Sequence, residues 1–291
     1  MTSALSTPEA PPYFTLQVGA GFCRCDLRVN DIPLMTDDLS GSRVDVEIPL
    51  NPLVFTGDNT LTVKLLPPRS APQGPDRALD HPLSRCSVEL IRKPYGAPGA
   101  REVLASIVYE GSDAVAFSGS SAETSEVSPL RTGGDPRSTL VASRTVRLAT
   151  PYPEWRWMRA APVAPSDEVV RDLLLELQRF WMALRDKDVA ALRGIMAHNL
   201  REVQSAYYLA DLDDAWRAVG IEALLRNRDA ALKPMPSELT LEVFADGRLA
   251  RMVDARGDSP IAFDERDTGL DAFLQAWFCR AGVGLGWVMI R

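Results

Sequence analysis

The chain has 291 residues, 46% of them hydrophobic and 24% charged; this is globular composition, excludes large-scale disorder, and is enough chain for about two domains. The 32 basic and 39 acidic residues give a formal net charge of −7, and no dense Lys/Arg cluster offsets it, so nucleic acid is not an expected partner. No run approaches about 18 apolar residues, so no membrane insertion is expected.

Rare residues limit the chemistry. There are two histidines, His81 and His198, too few for a His-rich zinc site. The four cysteines, Cys23, Cys25, Cys86 and Cys279, include no C-x-x-C pair. Cys23 and Cys25 alternate in a strand-like segment and share one face, so they do not readily bridge each other. Either pairs with Cys86 if their strands are neighbours; otherwise all four are small buried hydrophobes or free thiols. Gly133-Gly134 lacks the Gly-Lys-Ser/Thr of a phosphate loop, and no G-x-S-x-G elbow occurs. No metal or cofactor is expected.

In chain order, residues 1–12 read as a polar, Pro-rich disordered tail with no basic start and no apolar stretch. It is not a signal peptide, so the chain as written reads as cytoplasmic, or periplasmic if a signal was removed. Proline then divides the chain: 19 of 22 prolines fall in residues 1–165. Proline is expelled from helix interiors and central strands, so loops and short strands are expected first and helices later.

Residues 13–150 read as an all-β antiparallel sandwich. Phe14, Leu16 and Val18 alternate, followed by Leu27 and Val29, then Val44, Val46 and Ile48, then Leu61, Val63 and Leu65. Each set predicts a half-buried strand. Turns fall at Asn30-Asp31, Ser40-Gly41 and Thr56-Gly57-Asp58-Asn59. Residues 67–82 form a Pro-rich loop, and further strands are expected at 84–92, 102–109, 114–118 and 139–148. Residues 119–138, rich in Ser, Gly and Thr, read as a long mobile loop. The run Val29-Asn30-Asp31-Ile32-Pro33-Leu34, then Ile48-Pro49-Leu50, then Gly57-Asp58-Asn59-Thr60-Leu61-Thr62-Val63 resembles a jelly-roll accessory domain. That resemblance implies a sandwich and names no ligand.

Residues 151–165 read as a stiff linker carrying Tyr152, Trp155 and Trp157. In extended chain the two indoles point the same way, as a sugar- or protein-binding platform requires. The plainer reading packs them between domains.

Residues 166–291 read as an α+β domain with helices packed on a curved antiparallel sheet. Ser166 is a good N-cap, and Val170, Leu173, Leu174, Leu177, Trp181 and Leu184 make one apolar stripe. A second helix follows Asp188, a third covers about 200–210, a fourth starts at Asp213 and a fifth runs about 221–231. After Pro236 the period becomes two, with a hairpin at Asp246-Gly247. Strands follow at 260–264, at 273–279 and at 285–290. Leu177-Gln178-Arg179-Phe180-Trp181-Met182-Ala183-Leu184-Arg185-Asp186-Lys187-Asp188, with this element order, is similar to the opening of the NTF2-like (cystatin-type α+β) family. That resemblance implies a cone whose pocket holds a carboxylate with His or Tyr; the matching candidates are His198, Tyr207, Tyr208 and Asp254.

Asp211, Asp213 and Asp214 form an acidic cluster without an EF-hand pattern, as suits a helix start or a protein-binding face. The leading expectation is a non-catalytic protein-binding protein, such as a bacterial immunity protein that neutralises a secreted toxin. The alternatives are a small-molecule-binding or enzymatic NTF2-like domain, and a carbohydrate-binding module.

Overall fold

The fold is mixed: antiparallel strands run throughout, and five α-helices lie in the C-terminal half. The computed structural model describes residues 10–39, 42–66, 84–96, 100–111, 115–120, 122–129, 139–265, 270–282 and 286–290. Residues 67–82, expected to form a loop and containing His81, lie outside the described residues, as do residues 1–9. The chain divides into two compact units, Met1–Tyr152 and Pro153–Arg291.

The first unit contains β1 (Pro12–Gly21), β2 (Arg24–Val29), β3 (Ile32–Asp38), β4 (Arg43–Pro49), β5 (Gly57–Leu66), β6 (Arg85–Pro94), β7 (Glu102–Glu110), β8 (Val115–Ser118), β9 (Ala122–Pro129) and β10 (Leu140–Leu148). They form two five-stranded sheets, ordered β4-β1-β6-β7-β8 and β3-β2-β5-β10-β9. Register aligns the apolar rows that period-two alternation predicts. Leu16 faces Leu90, Val18 faces Val88, and Val88 faces Ile107. Leu27 and Ala142 flank Val63 in the other sheet. All eight are buried.

Three elements differ from expectation. β3 follows directly on the Asn30-Asp31 turn, where both residues take positive φ. β4 was expected to be half-buried, but as an edge strand it leaves Val46 exposed on the outer flank of its sheet. The expected loop at 119–138 contains β9, paired along β10. At an edge, backbone bonds hold a strand whose Thr124, Ser125 and Glu126 stay in water, so no apolar row marks it.

Buried polar groups lock this unit. Asn59 accepts from the Phe55 backbone N–H (3.1 Å) and from the Asn30 side chain (3.0 Å), and donates to the Phe55 and Gly57 carbonyls. Asn30 in turn donates to Leu53 O and accepts from Thr60 N–H. Asn51, in a short 3-10 turn, accepts from Phe14 N–H at 2.7 Å. The G-x-N-x-L-x-V run is thus a polar knot that fixes the 50–60 connection. Arg144, in the inward row of β10, is buried without a carboxylate bond among the described residues. Its guanidinium donates to the carbonyls of Ser106 and Ser118 and lies over the Phe117 ring, so it ties strands of both sheets.

The second unit contains α1 (Asp167–Arg185), α2 (Val189–Ile195), α3 (Ala197–Ala206), α4 (Leu212–Val219) and α5 (Ile221–Arg226). Their strands are β11 (Ala230–Leu232), β12 (Thr240–Phe244), β13 (Leu249–Val253), β14 (Ala262–Glu265), β15 (Leu270–Phe273), β16 (Phe278–Arg280) and β17 (Trp287–Met289). The sheets are ordered β11-β14-β15 and β12-β13-β16-β17. Ser166 caps α1 through Val169 N–H, and Asp188 caps α2 through Ala191 N–H. α1 buries Val169, Leu173, Leu177, Phe180 and Leu184 against Trp216, Met252, Phe263 and Phe278. The stripe is rotated slightly from the expected one: Phe180 is inside, and Trp181 lies at its edge, donating to Lys233 O. α4 starts after Asp211 rather than at Asp213, and α5 ends at Arg226, five residues short of the expected end, because 230–232 pair with β14.

Residues 153–165 belong to this unit. They run through a 3-10 turn, Arg156–Arg159, and Val163 N–H donates to Gly247 O at 2.9 Å. Gly247 has φ +85, and a Cβ there would sit 2.9 Å from Val163 O, so the β12–β13 hairpin needs glycine for both backbone and space.

Asn59→Ala is expected to lower stability by about 1–3 kcal/mol, because it removes the partner of several part-buried backbone groups. Urea unfolding of the variant against wild type checks this.

Candidate functional site

One group of titratable side chains surrounds Arg156. The Arg156 backbone N–H donates to Glu202 Oε1 at 2.8 Å, and its guanidinium lies close enough to the Cys279 thiol to act on its titration. Glu202 and His198 stand one turn apart on α3, on one face, and Cys279 comes from β16. Asn199, on the same helix, donates to Ile290 O at 2.8 Å and fixes α3 against the end of the chain.

Electrostatics here suppresses charge. Burial pushes the Glu202 carboxyl up, against the opposing pull of Arg156. Burial and the Glu202 charge push the Cys279 thiol up to about 12, with Arg156 opposing. Burial, then the cations Arg156 and Arg201, hold His198 below its ordinary value. At neutral pH the thiol stays protonated and the imidazole neutral. A cysteine nucleophile needs the reverse, a thiolate beside a cationic partner. Among the described residues, no group of three or more His, Cys, Asp or Glu side chains could hold a metal ion.

The expected site residues scatter over different tasks. Trp155 is 0% exposed and Trp157 5%, so neither indole offers a face to a sugar ring. Tyr152 belongs to the first unit, donates to Pro12 O at 3.0 Å and packs edge-on to Phe14. Tyr207 ends α3, and Tyr208 follows with φ +54. Asp254 uses its carboxylate on the N–H groups of Arg256 and Asp258, which closes its own turn. Of the proposed pocket set, His198 joins the Arg156 group. The i, i+4 spacing of His198 and Glu202 was readable in the sequence. The approach of Arg156 and Cys279 was not, because both are distant in the chain and neither lies in a motif.

Asp211, Asp213 and Asp214 do come together, at the start of α4. Asp211 caps the helix through Asp214 N–H. Asp213 pairs with Arg193 of α2, which lies over the Trp216 ring, and Asp214 pairs with Arg217. Leu212, among these aspartates, is 40% exposed, and Val189 on α2 is also exposed.

The chain matches no family model, and comparison with curated proteins and with solved structures finds no match. The site is therefore read from its own chemistry. A groove of about 450 Å³ in the first unit, lined by Pro11, Pro12, Arg92, Lys93, Arg101 and Glu102, is a further concave candidate. Its cations pair with Glu102, Glu47 and Glu89 respectively, which leaves little field for an anion. No helix among the described residues is long and apolar enough to cross a membrane.

Two titrations test the Arg156 group. A carboxyl raised on folding contributes stability below its unfolded value, near 4.5, and loses it as pH rises through the folded value. Glu202→Gln keeps the acceptor for Arg156 N–H. Its urea midpoint is expected to gain on wild type as pH rises from about 4.5 to 7. His198, lowered on folding, contributes above about 6.5 and loses that contribution as pH falls. Its imidazole resonance in NMR is expected to titrate below that of a free histidine.

Proposed function

We propose that the protein is a non-catalytic protein-binding protein, of the type a bacterium uses as an immunity or inhibitor protein against a secreted toxin. The observation that carries this reading is Leu212, an exposed apolar side chain set among Asp211, Asp213 and Asp214. An apolar centre with a charged polar rim is the anatomy of a docking surface. The net charge of −7 points to a basic partner, with association speeded by opposite charge. The suppressed charges on Cys279 and His198 favour binding over catalysis.

In this reading the first unit is an antiparallel sandwich of the jelly-roll type, and the second is an NTF2-like α+β domain whose interior is filled rather than hollow. Trp216, Phe180 and Phe278, all buried in one core, support the filled interior. They weigh against a small-molecule pocket, as the buried indoles weigh against a carbohydrate module. The protein acts in the cytoplasm, or in the periplasm if the chain is exported.

Purification of the C-terminally tagged protein from its native host at low salt is expected to recover one stoichiometric basic partner that high salt releases. Asp213→Lys is expected to slow association, and Leu212→Ala to weaken binding about fivefold or more. Recovery of the protein alone, or binding indifferent to salt and to both substitutions, would overturn the proposal.

A further inference from the structure

We propose that Cys23 and Cys86 are the two halves of a disulfide that closes when the chain folds in an oxidising medium. Cys23 sits at the corner where the chain leaves β1 and enters β2, passing from one sheet to the other. Cys86 lies near the start of β6, opposite Ala20 at the end of the β1–β6 ladder. The corner is clamped to β6 from both sides. Ser84 Oγ donates to Phe22 O at 2.8 Å. Cys23 Sγ lies 3.6 Å from Arg85 O, the oxygen of the peptide unit that leads into Cys86. A disulfide requires Cα atoms within about 4.4–6.8 Å and converging side chains. A thiol in contact with its partner's preceding peptide is placed for that bond.

Both thiols are reduced and buried in this structure. Burial, then the nearby Cys23, pushes the Cys86 thiol up. Cys25 lies in β2, beside Asp37 and Leu65, and Cys279 lies in the second unit. Cys23 is therefore the partner the geometry selects.

The chemistry is thiol–disulfide exchange with an external disulfide such as oxidised glutathione. One cysteine thiolate attacks the external sulfur and expels one thiol, leaving a mixed disulfide. The second thiolate then attacks the protein sulfur and expels the other. The two cysteines lose two protons and two electrons, and the external disulfide becomes two thiols. A dry thiol with a raised pKa forms too little thiolate to react. The bond must therefore close before the core does, and the folded, reduced protein resists the same oxidant.

The full chain is produced in parallel in an oxidising compartment and in the reducing cytoplasm of a bacterial host. Each product is alkylated after unfolding, then digested without reductant and mapped by mass. The expected result is a Cys23–Cys86 linked peptide from the oxidising compartment, with Cys25 and Cys279 alkylated, and four alkylated cysteines from the cytoplasm. The linked protein should melt several degrees higher, and reductant under unfolding conditions should remove that difference. Four alkylated cysteines in the first product, or a link through Cys25 or Cys279, would overturn the proposal. The mapping uses wild-type protein, so it does not depend on the folding of any cysteine variant.

Discussion

The Arg156 backbone N–H meets the Glu202 carboxylate at 2.8 Å, and much of the second unit is arranged around that bond. It fastens the 153–165 segment to α3, while Val163 fastens the same segment to the β12–β13 hairpin. With both ends held, Trp155 and Trp157 lie on either side of Arg156 and are buried. Residues that read as an exposed platform in extended chain thus become core. The same bond places a carboxylate, a thiol, an imidazole and a guanidinium in one partly dry space. There, the cost of an unpaired charge dominates every titration.

That cost bears on function. Catalysis by cysteine or histidine needs the environment to lower a thiol or to poise an imidazole near neutrality. Here burial acts the opposite way on Cys279, and two cations act against the charged form of His198. The Arg156 group is suited to holding elements together. Surface chemistry then carries the functional reading, through Leu212 and its aspartates at the start of α4. Asp211 and Asp213 each have a structural task there, as cap and as ion-pair partner, which positions the exposed leucine rather than competing with its use.

The first unit obeys a related constraint. Its core-facing rows are apolar, yet the connection at 50–60 must turn within the interior and bring its backbone polar groups along. Asn59, Asn30 and Asn51 supply the missing donors and acceptors, and Arg144 does the same across two sheets by bonding carbonyls. These side chains are polar where a simple pattern would place hydrophobes, because they bond the backbone N–H and C=O groups beside them.

Strands with one wet and one dry face were legible in the sequence, since alternation is a local property: β1, β5, β6, β7 and β10 lie where it placed them. Helix caps at Ser166 and Asp188 were legible for the same reason. β9 was not legible, because an edge strand is held by its neighbour's backbone and needs no apolar row. The environment of Trp155 and Trp157 was not legible either, nor was the meeting of Arg156 with Glu202 and Cys279. Those depend on contacts between residues 46 or more positions apart, and only tertiary packing brings them together. The sequence by itself determined local periodicity, caps and turns, which are set by neighbours within a few residues. Tertiary structure alone decided which aromatic rings are buried and which charged groups meet, because burial and charge depend on what the rest of the chain places against them.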